Sequence, residues 1–327
     1  MITRRNVVIA LGAGAFAPLA SFAQQPTKIF RIGSLGPTAA SGYASRIEGL
    51  RGGLRDLGYL EGKNIVIEFR WAEGKYDRLP ELAAELVRLK VDIIVTSGTP
   101  ATRAAKGATT TIPIVTAEIG GDPVAEGIIA SLARPGGNVT GSTFFSPELA
   151  AKRLELLKEI LPRITQVAAL FNPDNPASKP FVHAVENRAR QLKVGFQQFG
   201  ARGPSEFERA FSAMAKSHVG AFVIQEDALF NVNLKAIADL ASKHRMLSAG
   251  GEEYAARGGL LAYGVSFPEL FRRAAYFIDR ILKGTEPKNL PVEQATRFDM
   301  TLNMKTAKAL GIRIPNTVLQ RADKVIE

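Results

Sequence analysis

VDIIVTSGTPATRAAKGATTTIPIVTA, residues 91–117, is the stretch from which the architecture of the chain can be worked out. An apolar run of strand length, residues 91–97, is followed by a helical stretch, 101–108, and by a second apolar run, 112–117. Between the first two lies Thr99-Pro100, a small polar residue before a proline suited to the first position of a helix. A strand, a helix and a strand in this order predict two parallel strands joined by a right-handed crossover.

The same alternation of strands and helices runs through nearly all of the chain. Further strands are predicted at 29–35, 65–71, 139–143, 167–171, 195–199, 221–225, 246–249, 260–263 and 298–302. Helical patterns separate almost all of them, including one at 124–133. This order predicts an α/β fold of two Rossmann-like lobes, hinged near Ser146, with parallel sheets flanked by helices.

The predicted domain boundaries follow this alternation. Residues 1–23 form a signal peptide and residues 24–146 the N-terminal α/β lobe, which about 268–290 joins again. Residues 147–267 form the C-terminal α/β lobe, joined by about 291–327. The final stretch therefore visits both lobes.

The first 23 residues have the three parts of a secretory signal. Arg4-Arg5 is followed by an uncharged apolar run, residues 7–19, and then by Ser21-Phe22-Ala23. The apolar run is short and Pro18 interrupts it, so a cleaved signal is favoured over a membrane anchor. The paired arginines fit the twin-arginine route, and the general export route fits equally. The chain is therefore predicted to be exported to the periplasm.

Composition narrows the possible partners. The chain has no cysteine and is 46% hydrophobic, so its core must be stable without disulfides. The net charge is +11, and loss of Arg4 and Arg5 leaves +9. The positive charges are dispersed among acids, which favours a solvated basic surface over a nucleic-acid site. We expect a freely soluble monomer.

Few residues are available for catalysis or for metal binding. The chain has three histidines, and none is paired with another at metal-ligand spacing. Phosphate-binding P-loops and G-x-S-x-G nucleophile motifs are absent from the sequence. Adjacent carboxylates such as Glu226-Asp227 point apart on a strand and do not form a shared-proton pair. The sequence therefore predicts no enzyme, no cofactor and no metal.

Polar residues where predicted strands end mark a binding site. In parallel sheets, ligands bind where the carboxyl ends of strands meet helix N-termini. Ser97, Gly98 and Thr99 would hold a solute carboxylate, unless Thr99 only caps its helix. Gly121 and Asp122 follow the fourth strand, where Asp122 takes an ammonium or a hydroxyl group, or only caps.

The second lobe offers equivalent positions. Asn172, in a polar turn after the strand at 167–171, carries both a donor and an acceptor, although a plain turn explains it nearly as well. Asp227 or its neighbour Glu226 is the candidate partner for an amine. Glu252 and Tyr263 lie at two further strand ends.

Aromatic rings near the predicted cleft would enclose an apolar part of the solute. The candidates are Tyr43, Trp71 and Phe145, each of which is otherwise a residue of the core or rim.

These stretches together resemble the ABC-transporter substrate-binding proteins of the type I periplasmic-binding family, in the branch of tryptophan-type binders. The resemblance runs from Lys28 to Glu327. It is carried by 49–51 (GLR), 58–64 (GYLEGKN), 68–72 (EFRWA), 97–101 (SGTPA), 121–124 (GDPV), 154–158 (LELLK), 172–173 (NP) and 306–311 (TAKALG). Membership implies two lobes that close on a small solute and deliver it to an inner-membrane permease.

From this resemblance the chain is expected to be the receptor of an ABC importer for a small polar organic solute, such as an amino acid or a carboxylate. An exported sensor that presents its solute to a membrane signalling protein is the alternative. A repressor with this fold would carry a helix-turn-helix where the signal lies. An exported hydrolase would be distinguished by turnover of esters or glycosides.

Overall fold

The computed structural model describes residues 28–327, so the predicted signal lies outside the described residues. The strands are β1 Phe30–Gly36, β2 Ile65–Trp71, β3 Ile93–Ser97, β4 Ile114–Ile119, β5 Val139–Thr143, β6 Gln166–Phe171, β7 Gly195–Gly200, β8 Ala221–Ile224, β9 Leu247–Gly250, β10 Leu261–Gly264, β11 Glu293–Gln294, β12 Asp299–Asn303 and β13 Lys324–Ile326. The helices are α1 Ala44–Asp56, α2 Leu79–Arg88, α3 Gly98–Ala108, α4 Ser146–Ile160, α5 Ser178–Gln191, α6 Pro204–Lys216, α7 Ala228–Asn231, α8 Leu234–Lys243, α9 Phe267–Leu282, α10 Met304–Leu310 and α11 Asn316–Leu319.

The first lobe is built on a sheet in the order β11-β5-β4-β3-β1-β2, and all of its strand pairs are parallel. The predicted unit at residues 91–117 is present as β3, α3 and β4. Two apolar clusters, one containing Ile32, Val95 and Val115 and the other Leu35, Ile94 and Leu86, bury the sheet between helices.

The second lobe has a sheet in the order β13-β12-β10-β9-β8-β6-β7. β12 runs antiparallel to β10, and the other strand pairs are parallel. β12 enters this sheet after the chain has crossed from the first lobe, without the crossover helix that makes two strands of one sheet parallel. The two lobes of mostly parallel strands flanked by helices confirm the predicted fold class.

Helix α9 returns the chain to the first lobe, where it packs against α1. A Cβ on Gly53 would lie 2.5 Å from the carbonyl oxygen of Arg272, so glycine permits this close approach. The two-residue strand β11 then pairs with β5. The second segment of the first lobe therefore ends a few residues after the predicted limit of about 290. The predicted boundary at Ser146 stays a prediction.

The predicted helix at 124–133 is wrong, because this segment forms turns. Asp122 accepts hydrogen bonds from the backbone of Val124 and Ala125, at 2.9 and 3.1 Å. Gly127 then adopts φ +67°, which interrupts any helix. A carboxylate that satisfies local backbone groups favours a turn over a helix.

Within residues 28–327, helices long and apolar enough to cross a bilayer are absent.

Candidate functional site

The lobes meet at a buried polar cleft, called here the interlobe cleft. It contains a cavity of about 30 Å³, enough for one or two water molecules. The first lobe lines it with Pro37, Arg46, Tyr76, Ser97, Gly98, Thr99, Pro100, Glu118, Gly120 and Phe144. The second lobe and the crossing segment contribute Asn175, Ala177, Glu226, Ala228, Asn231 and Phe267. A solute of more than a few atoms can therefore be accommodated only when the lobes lie farther apart than in this structure.

The N-terminus of α3 opens into this cleft. The helix begins at Gly98, which adopts φ +77°, so Thr99 lies inside the first turn and does not cap the helix. The hydroxyl oxygen of Thr99 is buried and has no hydrogen-bond partner in the described protein. The first turn of a helix also presents backbone N–H groups that lack partners within the helix. An anionic group in the cleft would satisfy both.

A bulge in β4 brings Glu118 into the cleft. Between Thr116 and Ile119, β4 contains one residue more than either β3 or β5 opposite it. The hydroxyl of Thr116 donates to the carbonyl oxygen of Glu118 at 3.1 Å. Such an extra residue redirects the side chains that follow it, here placing a carboxylate on the cleft wall.

Glu118 is held by groups of its own lobe. Ser97 Oγ donates to Glu118 Oε1 at 2.5 Å, and Arg46 Nη1 lies 3.4 Å from the same oxygen. The Tyr43 hydroxyl lies 2.8 Å from Ser97 Oγ. The Arg46 guanidinium also stacks over the ring of Phe267, 4.2 Å from its centroid.

The second lobe has a matching buried pair. The Arg153 guanidinium contacts the Glu226 carboxylate, and their side chains are 0% and 3% exposed. Arg153 Nε donates to the carbonyl oxygen of Tyr263 at 2.7 Å. Ser146 Oγ donates to Glu226 Oε2 at 2.6 Å. Ser146 and Tyr263 lie beside two of the segments that cross between the lobes. The network therefore connects these crossing segments to Glu226 on the wall of the cleft.

Asp227 is surrounded by hydrogen-bond donors. Asn172 Nδ2, Asn175 Nδ2 and the Tyr76 hydroxyl donate to Oδ2, at 3.2, 2.9 and 2.8 Å, and the backbone N–H of Leu229 donates to Oδ1 at 2.9 Å. Burial raises the pKa of Asp227, while these hydrogen bonds oppose the shift. Since Tyr76 belongs to the first lobe, its hydrogen bond joins the lobes in this closed arrangement.

The structure does not place all predicted site residues in the cleft. Ser97, Gly98 and Thr99 line it, and Asn172 and Asp227 form the network behind its wall. Gly121 and Asp122 are not among the lining residues, because Asp122 is used by its own turn.

Glu252 lies in a separate groove of about 550 Å³ beside the hinge, called here the hinge groove, which it lines with Ser266 and Asp299. Tyr263 packs against Phe298, with ring centroids 6.0 Å apart. Neither side chain lines the interlobe cleft.

The three aromatic residues predicted for the site, Tyr43, Trp71 and Phe145, do not line the cleft either. The rings of Tyr43 and Trp71 pack in the core of the first lobe, 5.1 Å apart. Burial raises the pKa of Tyr43 to about 12, so its hydroxyl stays protonated. Phe145 precedes α4 with φ +47°, and its neighbour Phe144 lines the cleft, as does Phe267.

Sequence reasoning missed the two buried arginines. Arg46 and Arg153 lie on the buried faces of α1 and α4, the first four residues before Leu50 and the second three after Ala150. Each arginine occupies a position of its helix where the apolar periodicity predicts a buried residue. This pattern could have indicated a buried charge. Glu118 gave no such signal, because a bulge cannot be recognised from strand periodicity.

Glu252 should make stability depend on pH. Burial, followed by the carboxylates of Asp299 and Glu253, raises the pKa of Glu252 to about 6. Since the folded pKa exceeds the ordinary value, ionisation destabilises the folded protein as pH rises from about 4.5 to 6. We expect Glu252→Gln to be stabilised relative to wild type more at pH 7 than at pH 4. Urea unfolding at both pH values measures this, and an equal difference at both would contradict it.

Two α/β lobes, crossing segments at 144–145, 265–266 and 295–298, and a buried polar cleft define the type I periplasmic-binding fold, the class of two-lobed solute-binding proteins. The chain belongs to the family of ABC transporter substrate binding proteins, whose model matches residues 38–326. The resemblance seen in the sequence is thereby confirmed.

Individual relatives are similar over most of the chain. A "Tyrosine-binding protein" of Clostridioides difficile (strain R20291) is 28% identical over 262 residues, covering 80% of this chain and 74% of the relative. The structure of an ABC domain from Streptococcus pneumonia in complex with L-Trp has a TM-score of 0.84 and 26% identity, covering 91% of this chain and all of that one. A conserved domain protein from Vibrio cholerae gives a TM-score of 0.86 and 27% identity at the same coverage.

Proposed function

We propose that this protein is the solute receptor of an ABC importer and that its solute is an amino acid, with aromatic amino acids the first to test. Two kinds of observation support this proposal. One relative is named for tyrosine and another was solved with L-Trp. The cleft also contains the buried, unpartnered hydroxyl of Thr99 at a helix N-terminus, where a carboxylate, a group common to all amino acids, would find donors.

The observation that carries the proposal is the unpartnered hydroxyl of Thr99. A buried hydroxyl without a hydrogen bond costs free energy. A solute group that accepts a hydrogen bond from Thr99, next to the N-terminus of α3, would remove this cost. A solute carboxylate would accept from Thr99 Oγ1 and from the N–H groups of the first turn of α3. The positive end of the helix dipole favours the same anion.

Binding would act by shifting the population of open and closed forms. A solute that contacts both lobes has more partners in the closed form than in the open one. Moving the ratio of closed to open molecules from about 1:99 to 99:1 requires roughly 5.5 kcal/mol of differential affinity. Closure would then present one surface, made from both lobes, to the permease.

The remaining parts of this role are proposals of the same kind. We propose export to the periplasm through the signal at residues 1–23, delivery of the solute to an inner-membrane permease, and action as a monomer. The protein would bind its solute without chemical change. Calorimetry with the twenty common amino acids tests the central step, and binding of none of them would contradict it.

Replacing Thr99 with alanine should weaken binding without unfolding the protein. The loss of one hydrogen bond to a charged group, about 1.5–3 kcal/mol, corresponds to roughly 10- to 160-fold in affinity. Thr99→Ser keeps the hydroxyl and should retain most of the affinity. The exposed Thr110→Ala is the control. Equal dissociation constants for Thr99→Ala and wild type, measured by calorimetry, would remove the assignment.

A further inference from the structure

One short helix of the second lobe contacts two segments of the first lobe directly. Helix α7 and its ends, residues 227–232, follow β8, and the segments after β1 and β2 meet them at Gly42 and Gly74. The Tyr76 hydroxyl, two residues after Gly74, donates to Asp227 Oδ2 at 2.8 Å. These contacts, called here the latch, join the lobes through groups of the protein alone.

Two glycines of the first lobe leave the space that apolar side chains of residues 227–232 occupy. A Cβ on Gly42 would lie 2.2 Å from Val232 Cγ1, and a Cβ on Gly74 would lie 2.6 Å from Leu229 Cδ2. Both distances are shorter than an ordinary contact between two carbon atoms, about 3.5–4.0 Å. Any larger residue at either position would therefore oppose this approach of the lobes.

The hydrogen bond of the latch joins a phenol of the first lobe to a buried carboxylate of the second. A hydrogen bond to a carboxylate is about twice as strong as one between neutral groups. Burial, followed by the Asp227 carboxylate, raises the pKa of Tyr76 well above its usual range, so its hydroxyl keeps the proton that it donates. Asn172, Asn175 and Leu229 hold Asp227 from within its own lobe. The second lobe alone therefore places the acceptor for Tyr76.

We propose that this latch sets the ratio of closed to open molecules before any solute binds, and with it the affinity for every solute by a common factor. The inference goes beyond the proposed function, because it concerns the solute-free protein. A solute that binds the closed form has an apparent dissociation constant inversely proportional to the closed fraction. A weaker latch therefore weakens the binding of all solutes alike, whereas loss of a group that contacts the solute changes the preference among solutes.

Paired spin labels in the dialysed, solute-free protein provide the first test. The chain has no cysteine, so labels attach only at Glu81→Cys on α2 and Arg209→Cys on α6, two exposed positions in different lobes. Pulsed electron spin resonance should show two distances between the labels, one for each form. Gly42→Ala and Tyr76→Phe should each lower the ratio of closed to open molecules at least about fivefold.

Gly107→Ala is the matched control, because this exposed glycine of α3 has no neighbour within 4 Å of the added Cβ. It should keep the wild-type ratio. A single, open distance in the solute-free wild type would overturn the inference, and so would the same ratio in Gly42→Ala, Tyr76→Phe and the control. Because no solute is present, neither outcome bears on the proposed function.

A compensating substitution separates the latch from a general loss of stability. Gly42 does not adopt a positive φ, so alanine is not strained there by its backbone alone. Val232→Ala removes the Cγ1 that the new Cβ would meet and leaves the Val232 Cβ at 3.5 Å. Gly42→Ala combined with Val232→Ala should therefore keep the closed-to-open ratio of Val232→Ala alone. A further fivefold loss in the double variant would show that Gly42 does not act through this contact.

Calorimetry with L-tryptophan and L-tyrosine provides the last test. Tyr76→Phe should weaken the binding of both by the same factor, at least about fivefold, and leave the ratio of the two affinities unchanged. A changed ratio of affinities with unaltered distances in the solute-free protein would assign Tyr76 to the solute and overturn the latch. If neither amino acid binds, the proposal of an aromatic solute fails, while the spin-label distances still decide whether the latch exists.

Discussion

Arg153→Met is expected to lower the free energy of unfolding by about 3–5 kcal/mol. The arginine side chain is fully buried and neutralises the Glu226 carboxylate, which is also buried. Methionine fills similar space but leaves that carboxylate without a counter-charge and the Tyr263 carbonyl without its donor. Most of the cost comes from the unpaired charge, since a buried carboxylate has lost its hydration.

Two further variants separate this cause from the loss of a large side chain. Arg153→Met combined with Glu226→Gln removes both charges and should recover most of the lost stability. Arg321→Met removes an arginine from an exposed pair with Glu159 and should cost less than about 1 kcal/mol. Urea denaturation of the four proteins measures the differences. If Arg153→Met and Arg321→Met unfold at the same urea concentration, the buried pair does not stabilise the second lobe.

Gly141→Ala is expected to destabilise the first lobe by about 2–6 kcal/mol. Gly141 adopts φ +130° and a Cβ there would lie 2.0 Å from the carbonyl oxygen of Thr116 in the neighbouring strand. Strain of a non-glycine residue in such a conformation costs about 1–3 kcal/mol, and overpacking against backbone costs a similar amount. Thr116 begins the bulge that places Glu118 on the wall of the cleft. A shift of Thr116 would therefore displace Glu118, and the variant should also bind its solute more weakly.

Gly137→Ala is the matched control. Gly137 is exposed, lies four residues earlier and has no neighbour where the Cβ would stand, so its effect should stay within about 0.5 kcal/mol. Thermal unfolding followed by circular dichroism compares the two variants. A melting temperature for Gly141→Ala close to that of Gly137→Ala would show that the close approach of β5 to β4 is not required.

The architecture could be predicted from the sequence because it depends on local patterns that recur. Apolar runs of strand length alternating with helical stretches gave the βαβ units, and the buried strand at residues 91–97 located the cleft-facing N-terminus of α3. The antiparallel β12 was missed because strand direction depends on which lobe the chain has just left. The turns at 124–133 were missed because Asp122 and Gly127 act on the backbone rather than on periodicity.

The site was predicted less completely, for a physical reason. Thr99 and its neighbours lie directly at a strand end, where chain order alone indicates the position. Arg46 reaches the cleft from the buried face of its helix and Glu118 through a bulge, while Arg153 lies behind the cleft wall and contacts Glu226. Each of these ion pairs joins residues that are far apart in the sequence. Asp227 lies in a setting that the sequence did not indicate, because three of its four donors come from two other segments of the chain.

A crystal structure of the protein grown with the amino acid that binds best in calorimetry tests this assignment most directly. We predict electron density between the lobes, with the carboxylate of the amino acid within hydrogen-bond distance of Thr99 Oγ1. Density at another place, such as the hinge groove, with the interlobe cleft free of the amino acid, would contradict it.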